Sequence, residues 1–279
     1  MATTPTRIEI PAFPAGKRIA VTTSWDDGRV YDRWVVEVLN RLGLKGTFNL
    51  NSAKLRGTGT PPSDMADGYL DAAEVATLFA GHEVAVHTVN HPNLERLDPL
   101  QIADEVLGDR RALEALVGYP VRGMAYPYGT YNARVIDVLR MLGIVYSRTT
   151  GAEVTSFPPA EPLAWASTMH ALHETPTPLP ARWEAFYARG NGVFYVWGHS
   201  YEFAKKRELL EPLFAHLAHK PDVWYCTNIA LFDYEDARQR LVIAADKRSA
   251  YNPSALPVTV NVDGTLRDLP PGVSRLDEA

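Results

Sequence analysis

Arg18-Ile-Ala-Val-Thr-Thr-Ser-Trp-Asp-Asp-Gly28 is the stretch on which the reading of this chain turns. An apolar, β-branched run that suits a buried strand stops at two adjacent carboxylates and a glycine, where a turn presents side chains at a sheet edge. Three further apolar runs end the same way. Glu83–Val86 runs into His87, Gly123–Ala125 into Tyr126-Pro-Tyr-Gly129, and 193–198 into His199. Polar groups at the carboxyl ends of separate strands converge when those strands form one parallel sheet or barrel.

Between these runs the spacing is helical. Trp34, Val35, Val38, Leu39 and Leu42 share a face over 30–42, and Gly43 is placed to end that helix. A helix at about 71–80 precedes the strand at 83–86, and Asp98-Pro99 reads as the N-cap and first turn of a helix reaching Val117. Further strands are expected near 45–51, 122–126, 144–148, 163–167, 192–198 and 222–227, and further helices near 132–142, 181–189, 204–218 and 228–245. This alternation is α/β. It predicts a distorted, TIM-like (β/α) barrel of seven or eight strands over residues 18–247. Residues 1–17, with three prolines, read as an N-terminal arm. Residues 248–279 read as a C-terminal extension, with a short β-hairpin turned by Asp263-Gly264. Residues 52–68, rich in Gly, Pro, Ser and Asp, read as a long loop.

Composition narrows the function. At 279 residues and 46% hydrophobic content the chain buries a full core, which excludes a disordered or fibrous protein. A net charge of -5 without a basic stripe argues against a nucleic-acid partner. The single cysteine, Cys226, lies in an apolar run and excludes both an intrachain disulfide and a multi-cysteine zinc site. No apolar stretch nears the 18 or so residues of a membrane span, so no membrane partner is expected. Nor do the first twenty residues hold a signal-peptide core, and a cytoplasmic location is expected. A homo-oligomer stays open.

Asp27, His87 and His91 make a sensible ligand set for one divalent cation. Imidazole and carboxylate suit zinc, and three protein ligands with one open position is the arrangement that activates water. Residues four apart in a helical turn share a face, which lets both imidazoles reach one ion. Asp26, beside that ion, is then placed to act as general base, and His199 to protonate a leaving amine or alkoxide. Taken singly these features are plain: Asp-Asp-Gly is commonly a turn, and a lone strand-end histidine is commonly structural. Their shared position at strand ends is what points to a metal site.

Together these stretches resemble the polysaccharide deacetylase family, the NodB-homology domain of carbohydrate esterase family 4. Thr-Ser-Trp-Asp-Asp-Gly at 23–28 is similar to its first motif, and His-Thr-Val-Asn-His at 87–91 to its second. Ala-Tyr-Pro-Tyr-Gly at 125–129 is similar to the third and Trp-Gly-His at 197–199 to the last, so the likeness spans residues 18–227. It implies a distorted (β/α) barrel, a divalent metal, usually zinc, and removal of acetyl groups from amino sugars or acetylated glycans. On that resemblance Asp26 is the base, Asp27, His87 and His91 the ligands, and His199 the acid. Tyr128 offers its N–H to the oxyanion and Trp197 walls the acetyl methyl. Tyr126, in the third motif, and Trp25, which also suits barrel core, are further candidates for substrate contact.

Two positions depart from the family. Ala125 stands where its third motif commonly has an arginine that orients the base, and Arg122 lies three residues early. The motif supplying an acidic partner for the catalytic histidine and an aromatic wall has no clear match over 149–181; Trp165 is the candidate wall, and Glu153, Glu161 and Glu174 the candidate acids. His82 reads as a solvated turn residue, and His216 and His219 as helix-surface residues. His170 and His173 fall in the irregular segment, where they can line the cleft, and Glu202 reads first as a helix-start residue and second as part of the site. The expected function is metal-dependent hydrolysis of N- or O-linked acetyl groups on an acetylated sugar or oligosaccharide. Two alternatives stand beside it: hydrolysis of a non-peptide C–N bond in a small amide, and a carbohydrate-binding protein whose catalytic residues have decayed.

Overall fold

All eight residues of Ile19–Asp26 are buried, because both edges of this strand are paired and both of its faces are covered. The computed structural model describes residues 5–57, 68–172 and 177–277. In chain order the elements are β1 (Ile8–Glu9), β2 (Ile19–Asp26), α1 (Asp32–Arg41), β3 (Gly46–Leu50), α2 (Val75–Leu78), β4 (Glu83–Val86), α3 (Pro99–Val117) and β5 (Gly123–Ala125). There follow α4 (Ala133–Met141), β6 (Tyr146–Arg148), β7 (Met169–His170), α5 (Leu179–Arg189), β8 (Gly192–His199), α6 (Arg207–Ala215), β9 (Val223–Tyr225) and α7 (Asn228–Arg240). The chain ends in β10 (Val242–Ile243), β11 (Ser249–Asn252), β12 (Val258–Val262), β13 (Thr265–Leu269) and β14 (Gly272–Arg275).

The parallel sheet runs β6-β5-β4-β3-β2-β8-β7, with β9 also on β2. β8 takes one edge of β2 for its full length, while β9 pairs with Ile19–Val21 and β3 with 23–26. The sheet curls into a half-barrel, the expected α/β architecture. Its polar middle is satisfied rather than exposed: Thr22 donates to Asn228 Oδ1 (2.8 Å), Thr23 to the Lys45 carbonyl (3.0 Å), and Asn49 to Ser24 Oγ (2.8 Å). The long helix α3 starts as its sequence predicts, with the Asp98 carboxylate accepting the N–H groups of Leu100 and Gln101. Among the described residues no helix is long and apolar enough to cross a membrane.

The termini are more elaborate than an arm and a hairpin. Asp263 and Gly264, both left-handed, do turn β12 into β13, but Ile8–Glu9 adds a third strand to that hairpin. β10, β11 and β14 form a second antiparallel sheet, because Leu241 is extended and ends the helix that the sequence carries to 245. The strand expected at 163–167 is instead a helical turn, Pro162–Ala164, and the strand of this region is Met169–His170. His82 is buried, not solvated: its Nδ1 accepts the Gly46 N–H (3.1 Å). The loop expected over 52–68 lies largely outside the described residues, as do His173 and Glu174.

Glu83 closes the amino end of the barrel. It is buried and accepts hydrogen bonds from Thr47 Oγ1 (2.8 Å), the Tyr146 hydroxyl (2.7 Å) and the Ile229 N–H (2.8 Å). Burial outweighs these bonds and pushes its carboxyl up to about 7. Between the ordinary carboxylate range and pH 7 the folded chain therefore holds a proton that the unfolded chain has released, and stability falls as pH rises through that window. Urea unfolding from pH 4.5 to 8 should show a decline in the native protein steeper by about 3 kcal/mol than in Glu83→Gln, where buried Asp109, also raised to about 7, still contributes its own. Parallel pH profiles for the two proteins would contradict it.

Candidate active site

Strand register assembles the site. Asp26 pairs with Asn49 on one side and His199 on the other, while Val86 pairs with Met124 and Ala125 with Arg148, so the polar strand ends lie along one rim. A cavity of about 290 Å³ opens there, lined by Asp26, Asp27, His87, His91, Tyr126, Tyr128, Trp197, His199 and Tyr201 among others. Asp27, Thr88, His91 and Tyr128 around it all have left-handed backbone, with φ from 60° to 82°. Such conformations are strained for side-chain-bearing residues and tend to gather at functional sites.

Asp27 Oδ1 lies 3.6 Å from Nε2 of His87 and 3.6 Å from Nε2 of His91, and the three ligand atoms fall within 4.8 Å of one another. These residues fit a divalent cation. Tetrahedral bonds of about 2.0–2.1 Å separate ligand atoms by roughly 3.4 Å. The His87 Nδ1 faces the Ala125 carbonyl at 2.8 Å, which holds the proton on that nitrogen and turns Nε2 toward Asp27. Burial lowers the pKa of His87, and burial with the neighbouring His87 takes His91 down to about 4, so both rings are neutral donors. The two histidines do not share a helix face, as their spacing suggested. The left-handed turns at Thr88 and His91 bring the rings together, with centroids 4.8 Å apart. Asp109 on α3 pins this loop by accepting the His87 and Ser52 N–H groups (3.0 and 2.7 Å).

Asp26 is committed elsewhere. Asn49 donates to its Oδ1 (2.8 Å) and the fully buried Arg148 donates to its Oδ2. Burial alone would raise this carboxyl, but the Arg148 charge and hydrogen bond, with the charge of His199, prevail and hold it at about 2. Arg148 in turn lies over the Trp197 ring, 4.2 Å from its centre. Across the cavity, His199 Nδ1 is 3.5 Å from Glu202, and the His199 N–H donates to the same carboxylate (3.2 Å). His170 Nδ1 accepts the Leu172 N–H, which leaves its Nε2–H facing Glu202 at 3.3 Å. Burial opposes protonation of His199, but the Glu202 hydrogen bond and the charges of Asp26, Glu202 and Asp27 raise its pKa overall.

Residues 14–147 match the model of the polysaccharide deacetylase family. These residues are similar to that family over just under half of the chain. Peptidoglycan-N-acetylglucosamine deacetylase PgdA of Listeria monocytogenes is 27% identical over 51% of the chain and 28% of its own length. A chitooligosaccharide deacetylase of Bradyrhizobium is 38% identical over 23% of the chain and 30% of its own length. The chain thus spans under a third of the curated relatives it matches. The Xyl-CE4 domain of a xylanase from a Trinervitermes trinervoides hindgut metagenome shares the fold, with TM-score 0.55 and 16% identity over 79% of this chain and 92% of that one. A protein from Mycobacterium smegmatis does so with TM-score 0.59 and 16% identity over 86% and 96%.

Several candidates read from the sequence stand elsewhere. Trp25 is fully buried against Phe203 and Phe214, and Trp165, which follows the helical turn 162–164, packs among Tyr146, Tyr195 and Phe232; both are core. Tyr126 does line the cavity, although it is buried and its hydroxyl donates to the Leu163 carbonyl (2.7 Å). Arg122 sits at the opposite end of β5 in a bidentate pair with Asp233 (2.8 and 2.7 Å). Glu153 and Glu161 pair with Arg182 and Arg140 on the surface. Arg148 was missed although it ends a predicted strand, the signal that marked the other site residues. Removing its charge while keeping an unbranched stem, as in Arg148→Met, lets burial dominate at Asp26. The acid limb of kcat/KM should move to higher pH by at least about one unit. An unmoved limb in a folded variant would show that Arg148 does not hold Asp26 ionised.

Proposed function

We propose that this chain removes acetyl groups, N- or O-linked, from a carbohydrate by hydrolysis assisted by a divalent cation, zinc by its donor set. The observation that carries this reading is the separation of two adjacent carboxylates, Asp27 facing two neutral imidazoles and Asp26 tied to Arg148 and Asn49, on one cavity with His199 opposite. Asp27, His87 and His91 would hold the cation, which when bound lowers the pKa of water and polarises the acetyl carbonyl.

The side chains supply the proton traffic. Asp26, ionised at neutral pH, takes the proton of the attacking water as its oxygen bonds to the acetyl carbon. The Tyr128 N–H, on a turn lining the cavity, stabilises the charge that develops on the carbonyl oxygen. His199, kept protonated by Glu202, gives its proton to the departing nitrogen or oxygen as the bond to the acetyl carbon breaks. Acetate and the freed amine or alcohol leave. Trp197, held between Arg148 and His170, offers an apolar wall to the acetyl methyl.

Acetate release and bound zinc, measured on the same preparations, test the assignment. Asp26→Asn should keep the metal and lose turnover by about 10²–10⁴, whereas His87→Ala should lose both. Acetate release restored to Asp26→Asn by added zinc would remove Asp26 as base. Glu202→Gln removes the anion that raises the His199 pKa. Because the acid must be protonated, activity is lost as pH rises through that pKa, and the alkaline limb of the variant should lie at lower pH. A limb at the native position would assign the acid to another group.

A further inference from the structure

Around the mouth of the cavity, cations and tyrosines alternate. Tyr201 lines the cavity, and the Arg29 guanidinium lies 5.4 Å from its ring centre and 4.5 Å from that of Tyr69. Lys54 Nζ lies 5.7 Å from the same Tyr69 ring. On the opposite side Tyr128, 62% exposed, is the shared wall between the cavity and a second hollow of about 450 Å³ that holds Asn93 and Arg96. Asn93 uses its carbonyl oxygen to accept the Glu95 N–H, which leaves its amide nitrogen as a donor.

Arg29, Lys54 and Arg96 make no ion pair among the described residues, and the buried Nε of Arg29 makes no hydrogen bond there. Other arginines are neutralised by carboxylates, among them Arg33 by Glu74, Arg110 by Glu114 and Arg122 by Asp233, though Arg111, Arg134 and Arg189 also have no ion pair among the described residues. Stacking on a tyrosine occupies the face of a guanidinium and leaves its N–H edge for an acceptor in the plane. Exposed aromatic rings beside such donors suit sugar rings that carry acid groups. In a chain of net charge -5, a rim of unpaired cations marks a place where negative charge is expected from outside.

We infer that this rim selects an acetylated oligosaccharide bearing an anionic group on a sugar next to the acetylated one, with Arg29 and Lys54 on one side and Arg96 with Asn93 on the other as its contacts. The inference rests on the deacetylase reading for the acetyl group, while the preference for charge rests on the rim alone. Carboxylate and sulfate share the required chemistry: a delocalised anion whose oxygens accept two N–H bonds from a guanidinium.

Calorimetric titration of the zinc-loaded protein tests it with three tetrasaccharides. One is the neutral tetramer of N-acetylglucosamine, one alternates N-acetylglucosamine with glucuronic acid, and one is the O-sulfated form of the second. Either acidic probe should bind about tenfold or more tightly than the neutral one at low ionic strength, and the advantage should shrink as salt is added. The carboxylate and sulfate arms show which anion fits better. In Arg29→Gln/Lys54→Gln/Arg96→Gln the acidic and neutral probes should come within about twofold of each other. Equal or weaker binding of both acidic probes, a preference insensitive to salt, or a preference retained by the folded triple variant would overturn the inference. Acetate release is read separately. A preference without acetate release removes the deacetylase function and leaves the rim's selectivity; acetate release without a preference removes the inference alone.

Discussion

The contact between Arg148 and Asp26 is the constraint on which the rest of the site depends. Arg148 ends β6 and Asp26 ends β2, four strands away in the sheet order. In a flat sheet that separation is about 19 Å, far beyond the reach of an arginine. The contact therefore exists only because the sheet curls into a half-barrel and the side chain crosses its interior. Breaking the pair would leave one buried charge without its partner, the situation that makes truncated buried ion pairs so costly. Curvature of the fold and ionisation of Asp26 are thus one property seen from two sides.

That coupling also explains how neighbouring carboxylates acquire different tasks. Asp26 ends the strand and points inward to Arg148 and Asn49, whereas Asp27 has left-handed backbone and turns its oxygen toward His87 and His91. Strand pleating alone would send successive side chains to opposite faces. The turn at Asp27 and Gly28 lets both face one cavity, with the two imidazoles on one flank and the arginine charge on the other. His199, Glu202 and His170 then form a separate chain of charged contacts on the far wall, away from the Arg148 contact of Asp26.

Much of this was legible in the order of residues. Apolar runs ending in Asp26-Asp27, His87 and His199 located the rim because a parallel sheet gathers its strand ends, and that rule holds whatever the helices do. What escaped was information carried by curvature and by single turns. Arg148 was sought beside the third motif, where Ala125 stands, since linear spacing gives no sign that a residue 122 positions from Asp26 crosses the barrel. Glu202 read as a helix start, and it is one as well: the same carboxylate caps the His199 N–H and faces its ring. Trp25 read as core or substrate contact alike, and Trp165 as an aromatic wall, because an aromatic beside a motif looks identical in core and cleft until its surroundings are known. The paired β1 escaped because two residues are too few to show a period.

Metal position tests the account most directly, since a second group, His170, His199 and Glu202, also brings two imidazoles and a carboxylate within reach of one another. Crystals grown with zinc and measured on either side of the zinc absorption edge would locate the ion by its anomalous scattering. The account predicts one strong peak bounded by Asp27 Oδ1 and the Nε2 atoms of His87 and His91, with Asp26 still held by Arg148. A peak seated instead among His170, His199 and Glu202, or no peak from zinc-saturated protein, would contradict it.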